Sequence, residues 1–175
     1  MKSIWWLTLA GLVACASPRP GTDYTRNDSR SERKAGHTGV SRTVSPDVQR
    51  TALVDFAESL IGVGYRYGGD SPARGFDCSG FTCYVMRQAQ IQLPRTSHEQ
   101  ARLGRKKEVT RVRPGDLIFF GHGNRVTHVA IVLSRDRNRI DVVHSTSSRG
   151  VVRDNILGSD YWRNRTLWAV DLTDL

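Results

Sequence analysis

Hydrophobic residues recur with helical spacing shortly after position 45. They fall on one face of a helix and predict a buried stripe: Leu53, Phe56, Ala57, Leu60 and Ile61. Ser45 followed by Pro46 is a typical helix start, because a serine side chain caps free backbone N–H groups and proline suits the first helical position. Gly62 and Gly64 predict the end of this helix.

Three later segments, at 117–120, 126–133 and 140–145, are hydrophobic runs typical of buried β-strands. The first follows a Pro-Gly-Asp turn, and the polar stretch 134–139 separates the other two. The pattern therefore predicts a β-hairpin built from the second and third strands.

Two histidines lie on these two strands. Opposite residues of an antiparallel pair have a constant sum of residue numbers, and a sum of 272 sets His128 against His144 with the turn centred on Asp136. The two imidazoles would then be cross-strand neighbours. A turn of even length would instead place them on opposite faces, unless a β-bulge corrects the register.

A second helix is predicted to begin at Cys78, with Asp77 as its N-cap and with Phe81, Val85 and Met86 on its buried face. A thiol in the first turn of a helix lies near free N–H groups and the positive end of the helix dipole. Both stabilise the thiolate, which is the nucleophilic form of cysteine. The alternative is that Cys78 is a small buried hydrophobic residue.

Other sequence features limit which residues could form a catalytic set. Cys83 points to a different side of the same helix, which favours a core role and argues against a disulfide with Cys78. His128 lies in an otherwise hydrophobic strand and needs a polar partner, which His144 would supply. Cys78, His128 and His144 therefore form a candidate set of nucleophile, base and orienting residue. Neither a His-Glu-x-x-His nor a Cys-x-x-Cys motif occurs, so we expect no metal and no cofactor.

The first residues are typical of an export signal. Lys2 precedes the mostly hydrophobic run 4–14, and the alternative is a buried element of the folded domain. Leu12 to Cys15 resembles a bacterial lipobox, which implies cleavage before Cys15 and lipidation of its side chain.

The polar segment that follows cannot bury enough surface to fold. We therefore expect a signal peptide at 1–14, a lipidated flexible tether at 15–45 and one folded domain at 46–175. Ala16 at the second mature position implies the periplasmic side of the outer membrane.

The net charge does not change the predicted class of function. The 175-residue chain carries 26 Lys+Arg and 17 Asp+Glu, a net charge of +9. The domain from residue 46 onward holds 19 basic and 14 acidic residues, a net charge of only +5. The basic stretch 102–113 contains no interleaved aromatic residues, so it favours a solvated or envelope-facing surface over nucleic-acid binding.

Several motifs, in order, resemble the NlpC family of papain-like cell-wall cysteine endopeptidases, and in particular its single-domain lipoprotein members. They are YRYGG at 65–69, GFDCSGF at 75–81, LPRTS at 93–97, PGDLIFF at 114–120, THVAIV at 127–132, HSTSS at 144–148 and YW at 161–162. This resemblance implies an α+β papain-like fold, in which the helix that begins at the catalytic cysteine packs on an antiparallel sheet.

The resemblance also implies residue roles. Cys78 would be the nucleophile, His128 the general base and then acid, and His144 the orienting residue. The Cys78 backbone N–H and the Tyr67 hydroxyl would hold the oxyanion. Asp77 and Ser79 would contact the peptide stem, although Asp77 could instead serve only as the helix cap.

The implied partner is the peptide stem of peptidoglycan. Cleavage of the crosslink between diaminopimelate and D-Ala is favoured, and cleavage of the γ-D-Glu–diaminopimelate bond is the alternative within the family. A non-catalytic peptidoglycan-binding lipoprotein and an acyltransferase or amidase on a related core remain as alternatives of other classes.

Overall fold

The computed structural model describes residues 45–172. The predicted signal peptide, and the predicted tether apart from Ser45, lie outside the described residues, so lipidation of Cys15 stays a prediction. Among the described helices, none is long and apolar enough to cross a membrane.

The first helix forms where the sequence predicted it. Helix α1 spans Pro46–Ser59, and the Ser45 side chain accepts a hydrogen bond from a backbone N–H of its first turn. Leu53 and Ala57 are buried. Ile61 lies beyond the helix end and is exposed, contrary to its predicted place on the buried face. Gly62 follows with a φ of +96°, a left-handed conformation that favours glycine and prevents continuation of the helix.

A tight loop leads to the second helix. Strand β1 (Asp70–Ser71) pairs with strand β2 (Gly75–Phe76), and helix α2 spans Cys78–Gln88. The helix therefore begins at the predicted residue. Gly80 in its first turn lies so close to the loop that a Cβ atom there would be 2.0 Å from the Gly69 carbonyl oxygen. This close backbone contact fixes the start of α2 against the loop.

The rest of the described chain is mainly one antiparallel sheet of six strands. Two short helices, α3 (Ser97–Gln100) and α4 (Asp160–Arg163), and a 3-10 turn (Val109–Arg111) lie between strands. The strands are β3 (Arg105–Lys107), β4 (Leu117–His122), β5 (Arg125–Arg135), β6 (Ile140–Thr146), β7 (Gly150–Asn155) and β8 (Thr166–Asp171). Their order across the sheet is β3-β8-β4-β5-β6-β7. The three strands predicted from hydrophobic runs are β4, β5 and β6.

Each face of the sheet carries its own hydrophobic cluster. On one face, Phe81 and Val85 of α2 pack with Val129, Ile131 and Val143 of the sheet. The opposite face buries a second set, against which Trp162 of α4 packs: Val112, Ile118, Phe120, Ala130, Val132, Ile140, Val142, Ile156 and Ala169. The domain has the predicted α+β fold, with the helix that begins at Cys78 packed on an antiparallel sheet.

A buried ionic cluster joins α1 to the edge of this sheet. The Arg50 guanidinium donates hydrogen bonds to Asp116 at 2.9 Å and to Asp171 at 2.7 Å, and both carboxylates are fully buried. Lys107 of β3 donates to the same two carboxylates, at 2.8 and 3.1 Å. Buried charges are tolerated only when they are paired in this way. The cluster therefore fixes the orientation of α1.

The hairpin between β5 and β6 differs from the prediction of direct opposition. Its turn has four residues, 136–139, and Arg135 pairs with Ile140, so the residue numbers sum to 275 next to the turn. If this odd sum held along the whole hairpin, His128 and His144 would lie on opposite faces of the sheet.

A β-bulge restores the common face. Leu133 is the extra residue between Val132 and Ser134, and beyond it the sum is 274, as in the pair Ile131–Val143. Continued by one residue, this register sets His144 opposite residue 130 and diagonal to His128. The predicted sum of 272 is therefore wrong, whereas the alternative of an even turn corrected by a bulge is the arrangement observed.

Candidate active site

The Cys78 side chain is half-buried at the start of α2, in the wall of an open cleft of about 640 Å³. His128 lines the same cleft. Backbone N–H groups of Val129, Ser79 and Cys78 itself approach the thiol. The contact with Val129 places the sulfur next to the residue that follows His128 in β5. The structure thus brings the predicted nucleophile and base into one cleft.

The surroundings of the thiol disfavour its ionised form, contrary to the expectation from the helix start. Burial, and then the negative charge of Asp77, raise the pKa of Cys78 above its ordinary value of 9.0. The nearby backbone N–H groups act in the opposite direction without outweighing burial. Position at a helix N-terminus is therefore not enough here to produce a thiolate at neutral pH.

His128 is held in its neutral form. Burial, and then the neighbouring His144, lower the pKa of His128 from 6.5 to about 3. Its Nε2 lies 3.0 Å from Nδ1 of His144, which is a hydrogen-bond distance. Because Nε2 is occupied in this way, Nδ1 is the ring nitrogen left for the thiol. A neutral imidazole with a free nitrogen beside a neutral thiol can act as a general base.

Aromatic rings hold both histidines in place. Trp162 stacks on His128 with ring centroids 5.0 Å apart and 27° between planes, and its centroid lies 4.8 Å from that of His144. Phe120, directly opposite His128 in the sheet, packs edge-on against the same tryptophan. These contacts restrict the imidazole rings to a narrow range of orientations.

Asp154 is a site residue that sequence reasoning missed. Its Oδ2 lies 3.0 Å from Nε2 of His144, which is fully buried. Asp154 also accepts hydrogen bonds from Arg149 and from the Trp162 indole N–H at 3.2 Å. The sequence did contain a signal for this residue, namely a carboxylate in the strand that directly follows the strand of His144. The register that brings it to His144 was needed before this signal could be used.

Tyr67 does not take the position that the resemblance implied. Its side chain is 89% exposed and is not part of the cleft wall. Tyr65, two residues earlier, lines the cleft with Cys78. Burial, and then the charges of Cys78 and Asp77, raise the pKa of Tyr65. The tyrosine hydroxyl near the thiol therefore belongs to Tyr65, whose backbone forms a bridge with Phe76 of β2.

Asp77 and Ser79 are buried and are not among the residues that line the cleft. Asp77 accepts hydrogen bonds from the N–H groups of Gly80 and Gly68, at 2.7 and 2.9 Å. The Arg95 guanidinium donates to both Asp77 oxygens and to the Ser79 hydroxyl. Burial alone would raise the pKa of Asp77, but Arg95 and the two N–H groups hold it below its ordinary value. The alternative role of Asp77 as helix cap accounts for these contacts.

Besides Cys78, His128 and His144, the described region contains one more cysteine and two more histidines. Cys83 is free, as is Cys78, and its sulfur lies 3.3 Å from both the Pro94 carbonyl and the Gln100 side chain. His122 lines the cleft, and His98 contacts Arg102. Within residues 45–172 there is no cluster of His, Cys, Asp and Glu side chains suited to a metal ion.

Comparison with known proteins gives a family match. The family model for NlpC/P60 matches residues 62–171. The crystal structure of the NlpC/p60 domain of peptidoglycan hydrolase SagA is similar, with a TM-score of 0.60 and 31% identity over 70% of this chain and 97% of that domain.

Three sequence relatives show the range of the similarity. Probable endopeptidase NlpC of Escherichia coli K12 is 40% identical over 119 residues, 66% of this chain and 73% of the relative. Murein DD-endopeptidase MepS/Murein LD-carboxypeptidase of the same strain is 36% identical over 117 residues, 66% of this chain and 59% of the relative. Gamma-DL-glutamyl hydrolase of Bacillus subtilis strain 168 is 37% identical over 127 residues, 70% of this chain.

The chain spans only 30% of the length of the Bacillus protein, so the similarity there is to one part of a larger molecule. The match to the family model covers most of the described domain, from the end of α1 to the last strand. It includes Cys78, His128, His144 and the strands and helix that position them. The chain belongs to the NlpC/P60 family.

Proposed function

We propose that this protein is a cysteine endopeptidase that hydrolyses bonds in the peptide stems of peptidoglycan. The observation that carries the proposal is the convergence of Cys78 and the hydrogen-bonded pair His128–His144 on one open cleft. A nucleophile, a base and a residue that orients the base are the minimum set for acyl transfer through a covalent intermediate.

The resting thiol and imidazole are both neutral, so the proton moves as the sulfur attacks. The Cys78 Sγ–H proton goes to Nδ1 of His128 while the sulfur bonds to the carbonyl carbon. The resulting oxyanion is stabilised by the Cys78 backbone N–H at the helix start, and Tyr65 is the tyrosine available to assist. His128 then returns the proton to the leaving amine, which leaves a thioester on Cys78. Water, deprotonated by His128, releases the acid and restores the thiol.

The cleft suits a substrate with free carboxylates. Arg165 and Arg149, the latter paired with Asp154, line it, and no acidic side chain belongs to the described lining. Peptidoglycan stems carry carboxylates at γ-linked D-Glu and at diaminopimelate, so their charge is complementary to this wall. The similarity to SagA, a peptidoglycan hydrolase, and to MepS, a murein endopeptidase, supports the same substrate class.

Two bonds within this substrate are candidates. We favour the crosslink between diaminopimelate and D-Ala, because the chain is similar to MepS over 59% of that relative's length. The second candidate is the γ-D-Glu–diaminopimelate bond, supported by the similarity to Gamma-DL-glutamyl hydrolase. Cleavage of the crosslink would turn dimeric fragments into monomers, whereas cleavage of the γ-bond would leave a stem that ends in D-Glu.

The test is digestion of purified sacculi followed by mass spectrometry of the released fragments. Wild-type protein should release new fragments, Cys78→Ala should release none, and Cys83→Ala should act like wild type. Cys83 is a matched control because it is a free thiol of the same helix outside the cleft wall. Digestion by Cys78→Ala at the wild-type rate would refute the nucleophile assignment. Binding to sacculi without cleavage by the wild type would favour the non-catalytic alternative.

We also propose that Cys15 carries lipid and holds the domain at the periplasmic side of the outer membrane. The support is the lipobox-like segment Leu12 to Cys15 and Ala16 after it. Fractionation with labelled palmitate tests this: the wild type should be labelled and sediment with outer membranes, and Cys15→Ser should be unlabelled and soluble. Equal labelling of both would contradict the proposal.

A further inference from the structure

Three polar residues lie on one straight diagonal across three neighbouring strands. His144 of β6 is diagonal to His128 of β5, as the register of 274 requires. On the other side, His144 pairs with Val152 of β7, and Asp154 lies two residues further along that strand. The three side chains therefore share a face, each one diagonal step from the next. Diagonal neighbours in a sheet are within reach of long side chains.

The hydrogen bonds along this diagonal determine where the protons lie. An ionised carboxylate can only accept hydrogen bonds. Asp154 is kept ionised because its hydrogen bond with His144 and those from Arg149 outweigh burial and hold its pKa well below the usual range. Nε2 of His144, 3.0 Å from Asp154, must therefore carry a proton.

The tautomer of His128 follows from that of His144. When His144 carries one proton, held on Nε2, its Nδ1 has a free lone pair. Nδ1 lies 3.0 Å from Nε2 of His128, so His128 must donate from Nε2. Nδ1 of His128 then has the lone pair that receives the Cys78 proton. The opposite tautomers would place a proton on this nitrogen and block the reaction.

We propose that Asp154 is a positioning residue that selects the reactive tautomer of His128 by acting through His144. No proton leaves His144 for Asp154 during the reaction. Because the carboxylate only accepts, His144 donates to Asp154 and His128 donates to His144. The carboxylate also stabilises the imidazolium that forms when His128 accepts the thiol proton. This inference rests on the proposed peptidase function for its kinetic consequence, but the tautomers exist without substrate.

A purely structural role must be separated from this one, because Asp154 also anchors Arg149 and Trp162. The test therefore compares full-length wild type with Asp154→Ala, and uses Asp160→Ala as the matched control. Asp160 is an exposed aspartate of α4 whose side chain pairs with Arg163, so its loss removes a charge nearby without touching the diagonal.

The first readout is the protonation of the histidine rings, measured by long-range proton–nitrogen NMR on substrate-free protein labelled with 15N-histidine. Wild type and Asp160→Ala should show protons on Nε2 of both His128 and His144. Asp154→Ala should show a mixture of tautomers at His144. A proton on Nδ1 of His144 in the wild type would overturn the proposal, whether or not the variant folds.

The second readout is the kinetics of cleavage. In metal sites, loss of the partner that orients a ligating histidine typically costs about 10- to 100-fold in activity, and Asp154 stands in the same relation to His144. We expect that loss in kcat for Asp154→Ala, with KM changed less than about twofold. Unchanged kcat and tautomers in a folded variant would overturn the proposal. If wild type cleaves no peptidoglycan while its tautomers are as stated, the proposed function fails and the inference about Asp154 stands.

Discussion

Substitution of Asp77 separates the two roles that sequence reasoning left open for it. If Asp77 holds the start of α2, Asp77→Ala should destabilise the domain. Loss of an N-cap costs about 1 kcal/mol, and the Gly68 N–H left without its acceptor adds about 1 kcal/mol. The Arg95 side chain is 42% exposed, so solvent screening limits its pair with Asp77 to about 1 kcal/mol. The free energy of unfolding should therefore fall by about 3 kcal/mol.

Asp77→Asn keeps an oxygen that can cap Gly80 but removes the charge that faces Arg95. Its loss of stability should be smaller, about 2 kcal/mol, because the cap is retained. The exposed Asp70, which pairs with Arg74, gives the control Asp70→Asn, expected within about 0.5 kcal/mol of wild type. Urea unfolding followed by tryptophan fluorescence measures all of these differences.

The pH dependence gives an independent check on Asp77. The pKa of its carboxyl lies below the ordinary value of 3.8 in the folded protein, so folding favours the ionised form. The stability that this charge contributes is present above the unfolded pKa and is lost as the pH falls through the folded one. The gap between wild type and Asp77→Asn should thus be full at pH 7 and shrink below about pH 4. Unchanged stability of Asp77→Asn together with a KM raised tenfold would refute this account and favour substrate contact.

Three further predictions concern the scaffold and the thiol. Arg50→Met should lower the free energy of unfolding by about 3–5 kcal/mol, since it leaves two buried carboxylates short of a cation; an effect below about 1 kcal/mol would show that the cluster is not needed. Alkylation of Cys78 by iodoacetamide, followed by peptide mass mapping, should accelerate only as the pH approaches and passes about 9, because burial raises the pKa of this thiol; a plateau between pH 5 and 8 would instead indicate a thiolate–imidazolium pair. Gly80→Ala should cost about 3 kcal/mol in thermal or urea unfolding because its Cβ would meet the carbonyl of Gly69, whereas Gly64→Ala has open space around it and should be tolerated; equal stability of the two variants would contradict the packing argument.

Local signals in the sequence were sufficient for the elements that carry the site. The cap at Ser45, the cap at Asp77 and the three hydrophobic runs act over a few residues, and each produced the predicted helix or strand. Cys78 and the two histidines were identified as candidates because their residue types and neighbours are unusual for buried positions. Their roles as a catalytic set stay predictions until the digestion experiment is done.

Properties that depend on register or long-range packing could not be predicted in this way. The bulge at Leu133 follows from how the whole sheet packs, and it decides the face on which His128 lies. Asp154 reaches His144 only through the pairing of β6 with β7. The choice between Tyr65 and Tyr67 depends on which way a loop turns, and the pKa of Cys78 depends on burial that no helix-start motif encodes.

The short strand β3 has a consequence for how this protein behaves in concentrated solution. It forms one edge of the sheet, where unpaired backbone groups could recruit a strand from another molecule. It is only three residues long, all of them basic, and the Lys106 ammonium lies 4.3 Å above the Trp168 ring of the neighbouring strand. Like charges on two such edges repel each other and oppose strand addition. The charges of β3 therefore oppose edge-to-edge association, and neutral substitutions at its exposed residues Arg105 and Lys106 should reduce solubility before they affect the site.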